Sequence, residues 1–190
     1  MKPPKKPKNE EQRTREFLAV KEIEAIRKQA RKNPLHGHRN DTLILMMFRH
    51  ALRVSEAIDL QWEQVDFTMG KLYVNRLKNG RSSTHPLQGE TIRALRLLQR
   101  QYTETPFLFC TKQKTPLSAR SVHRIVADAG KEAGLPFSIH PHMLRHSTGF
   151  YLANKGIDTR TIQEYMGHAR IDNTVIYTQL DANRFNNLWR

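Results

Sequence analysis

Residues 71–87 read KLYVNRLKNGRSSTHPL, and this stretch decides the fold class. Leu72, Val74 and Leu77 sit among polar residues with a period near two, Asn79-Gly80 is a strong short hairpin signal, and 82–87 returns as a second strand. On either side the period is helical. Upstream, Leu18, Ile23 and Ile26 recur at helical spacing until Asn33-Pro34 stops them. A helix over about 40–49 is apolar nearly all round from 43 to 48, which predicts a central core helix, and a short helix follows over 55–60. Downstream, the pattern predicts helices over 91–100 and 118–130, a short strand over 107–109, and a last helical group from about His140, with Gly156 and Gly167 as stops. The expectation is a mainly α domain with one small antiparallel β-sheet, an α+β fold.

The chain has 190 residues, with 32 Lys+Arg against 18 Asp+Glu and a formal net charge of +14. That length suits one domain with a proper core. One cysteine, Cys110, excludes an intramolecular disulfide framework and a Cys-rich zinc module. The longest apolar run, 43–48, is too short to span a bilayer, and no apolar segment follows the opening lysines as in a secretory signal. A cytoplasmic protein is expected. The positive excess favours nucleic acid, an anionic membrane surface or an acidic protein as partner, against the plainer reading of a basic surface with none. Residues 1–9, with four lysines and three prolines, bury nothing and read as a basic arm, or as a start without function.

Four short segments hold unusual polar residues beside apolar ones. In Leu52-Arg53-Val54-Ser55-Glu56, an arginine at a helix junction has Glu56 three residues on to steady it; alone, this is an ordinary surface pair. In His142-Met143-Leu144-Arg145-His146, His142 and Arg145 share one helix face while Met143 and Leu144 turn to the core, and Pro141 suits the first turn. An imidazole and a forked guanidinium at a helix start make a phosphate site plausible. His142 and His146 stand at i and i+4, but Met143 occupies the place where the metalloprotease pattern has Glu, so no metal is expected. Gly167-His168 closes the next helix, and Tyr177 follows nine residues later; a lone Tyr is more often packing than a nucleophile.

The order and spacing of Arg53, a hairpin lysine, His142-x-x-Arg145, Gly167-His168 and Tyr177 resemble the tyrosine recombinase (phage integrase) family of DNA strand-exchange enzymes. The likeness runs from about Phe17 to the C-terminus. Within the family, the stretches 76–80, 83–87, 139–143, 156–160 and Arg184-Phe185 look like those of the short bacterial recombinases that invert fimbrial promoter segments. The resemblance implies that Tyr177 attacks a DNA phosphodiester to give a 3′-phosphotyrosine and a free 5′-hydroxyl. Arg53, Arg145 and His168 would then stabilise the phosphoryl oxygens, with His142 orienting the site or accepting the tyrosine proton. Lys78 would be the acid for the 5′-oxygen, a place for which Arg76 and Arg81 are neighbours in sequence. It implies no cofactor and no metal. It also implies a basic arm over 1–16, a catalytic domain over 17–180 without a separate core-binding domain, and a tail over 181–190 of the kind that docks on a neighbouring subunit. Two departures stand out: Ala51 replaces the usual glycine before Leu-Arg, and Ala19 replaces a Ser or Thr helix cap.

Double-stranded DNA with inverted-repeat sites is the expected partner, bound by a homotetramer with accessory DNA-bending proteins on the bacterial nucleoid, without a membrane. Arg120 and Arg124, at i and i+4, mark the helix expected in the major groove, or else a solvated face. Arg81, Ser82 and Thr84, with Lys5 and Lys6 of the arm, are the candidates for backbone contacts. The alternatives are an integrase or resolvase of a mobile element or plasmid, a type IB topoisomerase, and a non-catalytic DNA-binding or architectural protein.

Overall fold

The structure, a computed structural model, describes residues 15–76 and 82–179. Lys5, Lys6, Lys78, Arg81, the Asn79-Gly80 turn and the tail over 181–190 lie outside the described residues.

Two helices make the centre, α2 (Gly37–Arg49) and α6 (Pro141–Asn154). Leu43, Ile44, Leu45, Met46 and Met47 are all buried, as the unbroken apolar run requires of a helix with neighbours on every side. The polar residues of α6 are used as ties. Ser147 Oγ accepts the Leu18 N–H at 2.7 Å and donates to the Met143 carbonyl at 2.7 Å, and the Thr148 hydroxyl donates to the Phe48 carbonyl of α2. Across α2 lies α1 (Val20–Ala30), buried through Ile23, Ile26 and Ala30. Asp41, buried on α2, pins α1 by accepting from Arg27 at 2.7 Å and from Arg31. As the sequence predicts, α1 has no side-chain N-cap at Ala19; only the reverse half of a capping box forms, Ala19 N–H to Glu22 Oε2 at 2.7 Å.

Then come α3 (Val54–Ile58), a single 3₁₀ turn (Trp62–Gln64) and a three-stranded antiparallel sheet, β1 (Val65–Asp66), β2 (Lys71–Val74) and β3 (Ser83–Pro86), in the order β1-β2-β3. The hairpin pairs Leu72 with His85 and Val74 with Ser83, turning Leu72, Val74 and His85 inward and Tyr73 outward. β1 is too short for its period to show in the sequence. The strand expected over 107–109 is a correction: Phe107 makes only an isolated bridge to Gln61, because the facing chain coils into the 3₁₀ turn one residue later.

The remaining helices are α4 (Gly89–Gln101), α5 (Ala119–Glu132), α7 (Thr159–Met166) and α8 (Asp172–Gln179). Ser118 caps α5 by accepting the Ser121 N–H at 3.1 Å. Pro141 opens α6 in its first turn, as expected. Gly156 and Gly167 do stop α6 and α7, both in the left-handed region. Among the described residues no helix is long and apolar enough to cross a membrane.

Candidate active site

The site is assembled where α2 ends, α3 begins and α6, α7 and α8 meet. Its centre is a carboxylate. Glu56, on α3, is buried, and its Oε1 takes Arg53 Nη1 at 2.7 Å while its Oε2 takes Arg76 Nη1 at 2.6 Å. Arg145 Nη1 stands 3.9 Å from the same Oε2. Arg53 is the residue before α3, in extended conformation, and its own N–H also donates to Glu56 at 2.8 Å. One acid thus gathers three guanidiniums from three separate parts of the chain. Burial works to raise the Glu56 carboxyl, but Arg76 and the two Arg53 hydrogen bonds outweigh it, so its pKa lies below the ordinary value.

The three arginines differ. Arg53 keeps about a third of its side chain exposed (35%), so it is available to a ligand. Arg145 is 2% exposed and donates to the Ala51 carbonyl and, at 2.7 Å, to the Met166 carbonyl, which locks its plane. Burial first, then Arg53 and Arg76, push it down to about 9, which leaves it charged at neutral pH. Arg76 is internal. Besides Glu56 it donates to the carbonyls of Ala51 (3.2 Å), His50 (3.3 Å) and Tyr165 (2.8 Å), joining the base of the hairpin to α2, α3 and α7. Its stem packs on Gly167, where a Cβ would come within 2.7 Å of it. Arg76 is therefore a structural tie. Ala51, which both arginines hold by its carbonyl, has φ +50°, the left-handed region that explains the glycine expected there.

Tyr177 lies on α8 and is 2% exposed. Its ring packs edge-on to Phe150 with centroids 5.1 Å apart, and directly on Gly149, where a Cβ would lie 2.6 Å from the ring. Its hydroxyl lies 2.9 Å from His146 Nδ1. Burial pushes the phenol up to about 12, with Arg145 acting the other way. His168, past the end of α7, stacks alongside Tyr177 at 6.4 Å between centroids, and Thr174 Oγ1 holds its Nδ1 at 2.8 Å. Burial first, then Arg145 and Arg53, push His168 down to about 3. His142 is exposed at the start of α6 and sets its ring edge-on to His146, centroids 4.5 Å apart. Desolvation by its neighbours, then His146 and Arg145, push it down to about 4.

The structure therefore brings Arg53, His142, Arg145, His168 and Tyr177 together, with Glu56 as the tie. Sequence reasoning missed the contact of His146 with Tyr177; its one signal was the i, i+4 pairing with His142, weighed there only for a metal. Of the candidate DNA contacts, Ser82 and Thr84 are exposed beside the hairpin, and Ser82 Oγ also accepts the Arg76 N–H at 3.3 Å. Arg120 and Arg124 are exposed on the first two turns of α5. Arg124 also lines a cleft of about 580 Å³ whose other cations are Lys32, Arg39 and Lys112.

Residues 16–184 match the family described as the phage integrase family. The chain is 43% identical over 180 residues to the type 1 fimbriae regulatory protein FimB of Escherichia coli, covering 92% of this chain and 90% of that protein. It is 40% identical over 181 residues to FimE of the same organism, covering 92% and 91%. Tyrosine recombinase XerA of Pyrococcus furiosus is 34% identical over 163 residues, covering 84% of this chain and 56% of XerA. Among solved structures, that of XerA recombinase superposes with a TM-score of 0.78 at 24% identity, covering 90% of this chain and 62% of that one. XerH recombinase bound to its difH substrate before cleavage gives 0.75 at 23% identity, covering 86% and 50%. The last two likenesses show the fold, mainly helical with a small antiparallel sheet, and this chain spans half to two thirds of those proteins.

Proposed function

Because this chain belongs to the phage integrase family and is a site-specific tyrosine recombinase acting on DNA, we propose that it inverts a DNA segment bounded by inverted repeats, switching a promoter in the manner of fimbrial phase variation. The resemblance to FimB and FimE over nine tenths of their length supports inversion over integration or excision.

The observation that carries the chemistry is that two guanidiniums, Arg53 and Arg145, are gathered by one buried carboxylate, with Arg145 acting on both His168 and the Tyr177 phenol, which stack side by side. In the proposed mechanism Tyr177 attacks the scissile phosphorus, forming a 3′-phosphotyrosine and releasing the 5′-oxygen. No water is consumed, so a second 5′-hydroxyl can reverse the step and join a new partner. Charge grows on the two non-bridging oxygens, and forked guanidiniums held in place beforehand are suited to that charge. Glu56 is the positioning residue that supplies this rigidity. His168 donates to the same oxygens, His142 orients the site, and Lys78 protonates the leaving 5′-oxygen. The exposed Arg120 and Arg124 of α5 read the major groove, with Ser82, Thr84, Arg81, Lys5 and Lys6 on the phosphate backbone. Four copies act on two sites, with the tail over 181–190 docked between subunits and accessory bending proteins on the nucleoid.

Covalent capture tests this. Wild-type and Tyr177→Phe protein are mixed with sheared host DNA, denatured with detergent, and the protein-bound ends sequenced. The expected result is adducts from the wild type alone, clustered at paired inverted repeats. Adducts at directly repeated or unpaired sites would replace inversion by excision or integration, and adducts from Tyr177→Phe would remove Tyr177 as nucleophile.

A further inference from the structure

A buried phenol is a poor nucleophile. Tyr177 is 2% exposed and its pKa is pushed up to about 12, so at neutral pH it holds its proton unless a neighbour takes it. Among the described residues the neighbour in hydrogen-bond reach is His146, whose Nδ1 lies 2.9 Å from the hydroxyl. The His146 ring stands between two neighbours: the His142 ring lies edge-on to it at 4.5 Å between centroids, and the Tyr177 ring is 5.8 Å away. The spacing has a simple cause. His146 is one helical turn further along α6, on the side where α8 packs, and is half-buried while His142 is exposed.

We propose that His146 is the general base that receives the Tyr177 proton during strand cleavage and returns it during rejoining. This rests on Tyr177 being the nucleophile. As the tyrosine oxygen bonds to phosphorus, the phosphorus–O5′ bond breaks. The phenolic proton moves to Nδ1, turning the neutral ring into an imidazolium, while the 5′-oxygen takes its proton from the separate acid. On rejoining, the 5′-hydroxyl attacks, the tyrosine–phosphorus bond breaks, and the imidazolium gives its proton back to the departing phenolate. Atoms and charge balance without a further reactant.

The surroundings suit a base that is neutral before the step. Desolvation lowers His146 from its ordinary value, opposed by Glu16 and reinforced by Arg145 and His140. The groups facing it are Glu16 ahead of α1, His140 ahead of α6, His142 and Arg145 on α6, His168 beyond α7, and Tyr177 on α8. Among these described groups the acid is Glu16, whose side chain is 40% exposed.

The test uses nicked duplexes of the site recovered by covalent capture, which trap the cleaved state. Single-turnover adduct formation is followed from acid to mildly alkaline pH for wild type, His146→Ala and His146→Asn, each with Tyr177 and with 3,5-difluorotyrosine in its place. Asn keeps a hydrogen-bond acceptor but takes no proton. Both variants are expected to slow cleavage by ~10²–10⁴-fold, as for loss of a general base, and to lose the acid limb of the rate profile. The more acidic phenol of difluorotyrosine should restore much of the rate towards the alkaline end of the range, because it gives up its proton without needing a strong base. A wild-type rate in His146→Asn would make His146 a positioning residue and overturn the proposal, as would failure of difluorotyrosine to rescue either variant. Adducts persisting in Tyr177→Phe would instead overturn Tyr177 as nucleophile, and the proposal with it.

Discussion

The two proposed phosphate-binding arginines carry the same forked guanidinium and have different structural costs. Arg53 is one third exposed and capped onto Glu56, whereas Arg145 is buried and spans two backbone carbonyls. Arg53→Ala should cut adduct formation by ~10²–10³-fold, the usual loss for one oxyanion-stabilising group, with little change in urea unfolding. Arg145→Ala should lose at least as much activity and also destabilise the fold by ~3–5 kcal/mol, since it empties a buried site and leaves Glu56 short of charge. Equal unfolding curves for the two variants would contradict this assignment of roles. Gly149 is the other residue whose chemistry is set by contact. An alanine there would press its Cβ into the Tyr177 ring, so Gly149→Ala should displace the phenol from His146 and slow cleavage more than it weakens DNA binding, which adduct and gel-shift assays on one sample would separate.

Among the elements, α1 and the hairpin carry the clearest consequences. α1 starts without a side-chain cap, and the Glu22 carboxylate accepts the Ala19 N–H at 2.7 Å. Ala19→Ser should add ~1 kcal/mol by accepting a free first-turn N–H. For a chain of this size that raises Tm by roughly 2–4 °C, readable by calorimetry. The hairpin is held from below by Arg76 and His85. His85 is buried, accepts or donates to Ser83 Oγ at 2.8 Å, lies 3.3 Å from His50 Nδ1, and stacks on Tyr165 at 3.9 Å between centroids. The strand pair is thereby tied to the helices that carry Arg53 and Arg145 and to the end of α7, so the base of the hairpin and the phosphate-binding groups are held together.

For the molecule as a whole, the buried histidines set the response to pH. Burial, with neighbouring cations adding to it, pushes His50, His85 and His168 down to about 3 from an ordinary 6.5. Between those values the unfolded chain binds more protons than the folded one, so stability is complete above about pH 6.5 and falls as pH drops towards 3. Going from pH 7 to pH 5 should cost roughly 1–2 kcal/mol per buried histidine, measurable by urea titration at the two pH values; no change would mean that these rings protonate in place. Much of the molecule was legible in advance. The apolar run 43–48, the alternation of Leu72 and Val74, Pro141 at a helix start and glycines at helix ends are local signals, and each corresponds to an element or boundary of the fold. The spacing of Arg53, His142, Arg145, His168 and Tyr177 indicated one site, because a family's order of residues is itself a property of the chain. The isolated bridge at Phe107, the internal role of Arg76 and the pairing of His146 with Tyr177 across 31 residues were not legible. Sequence by itself determined what depends on residues two to four apart, the helices, hairpin and caps, together with the list of reactive groups. Only the tertiary structure decided which groups touch and what their protonation states are, because helix packing sets both the distances between remote residues and the burial that shifts their charge.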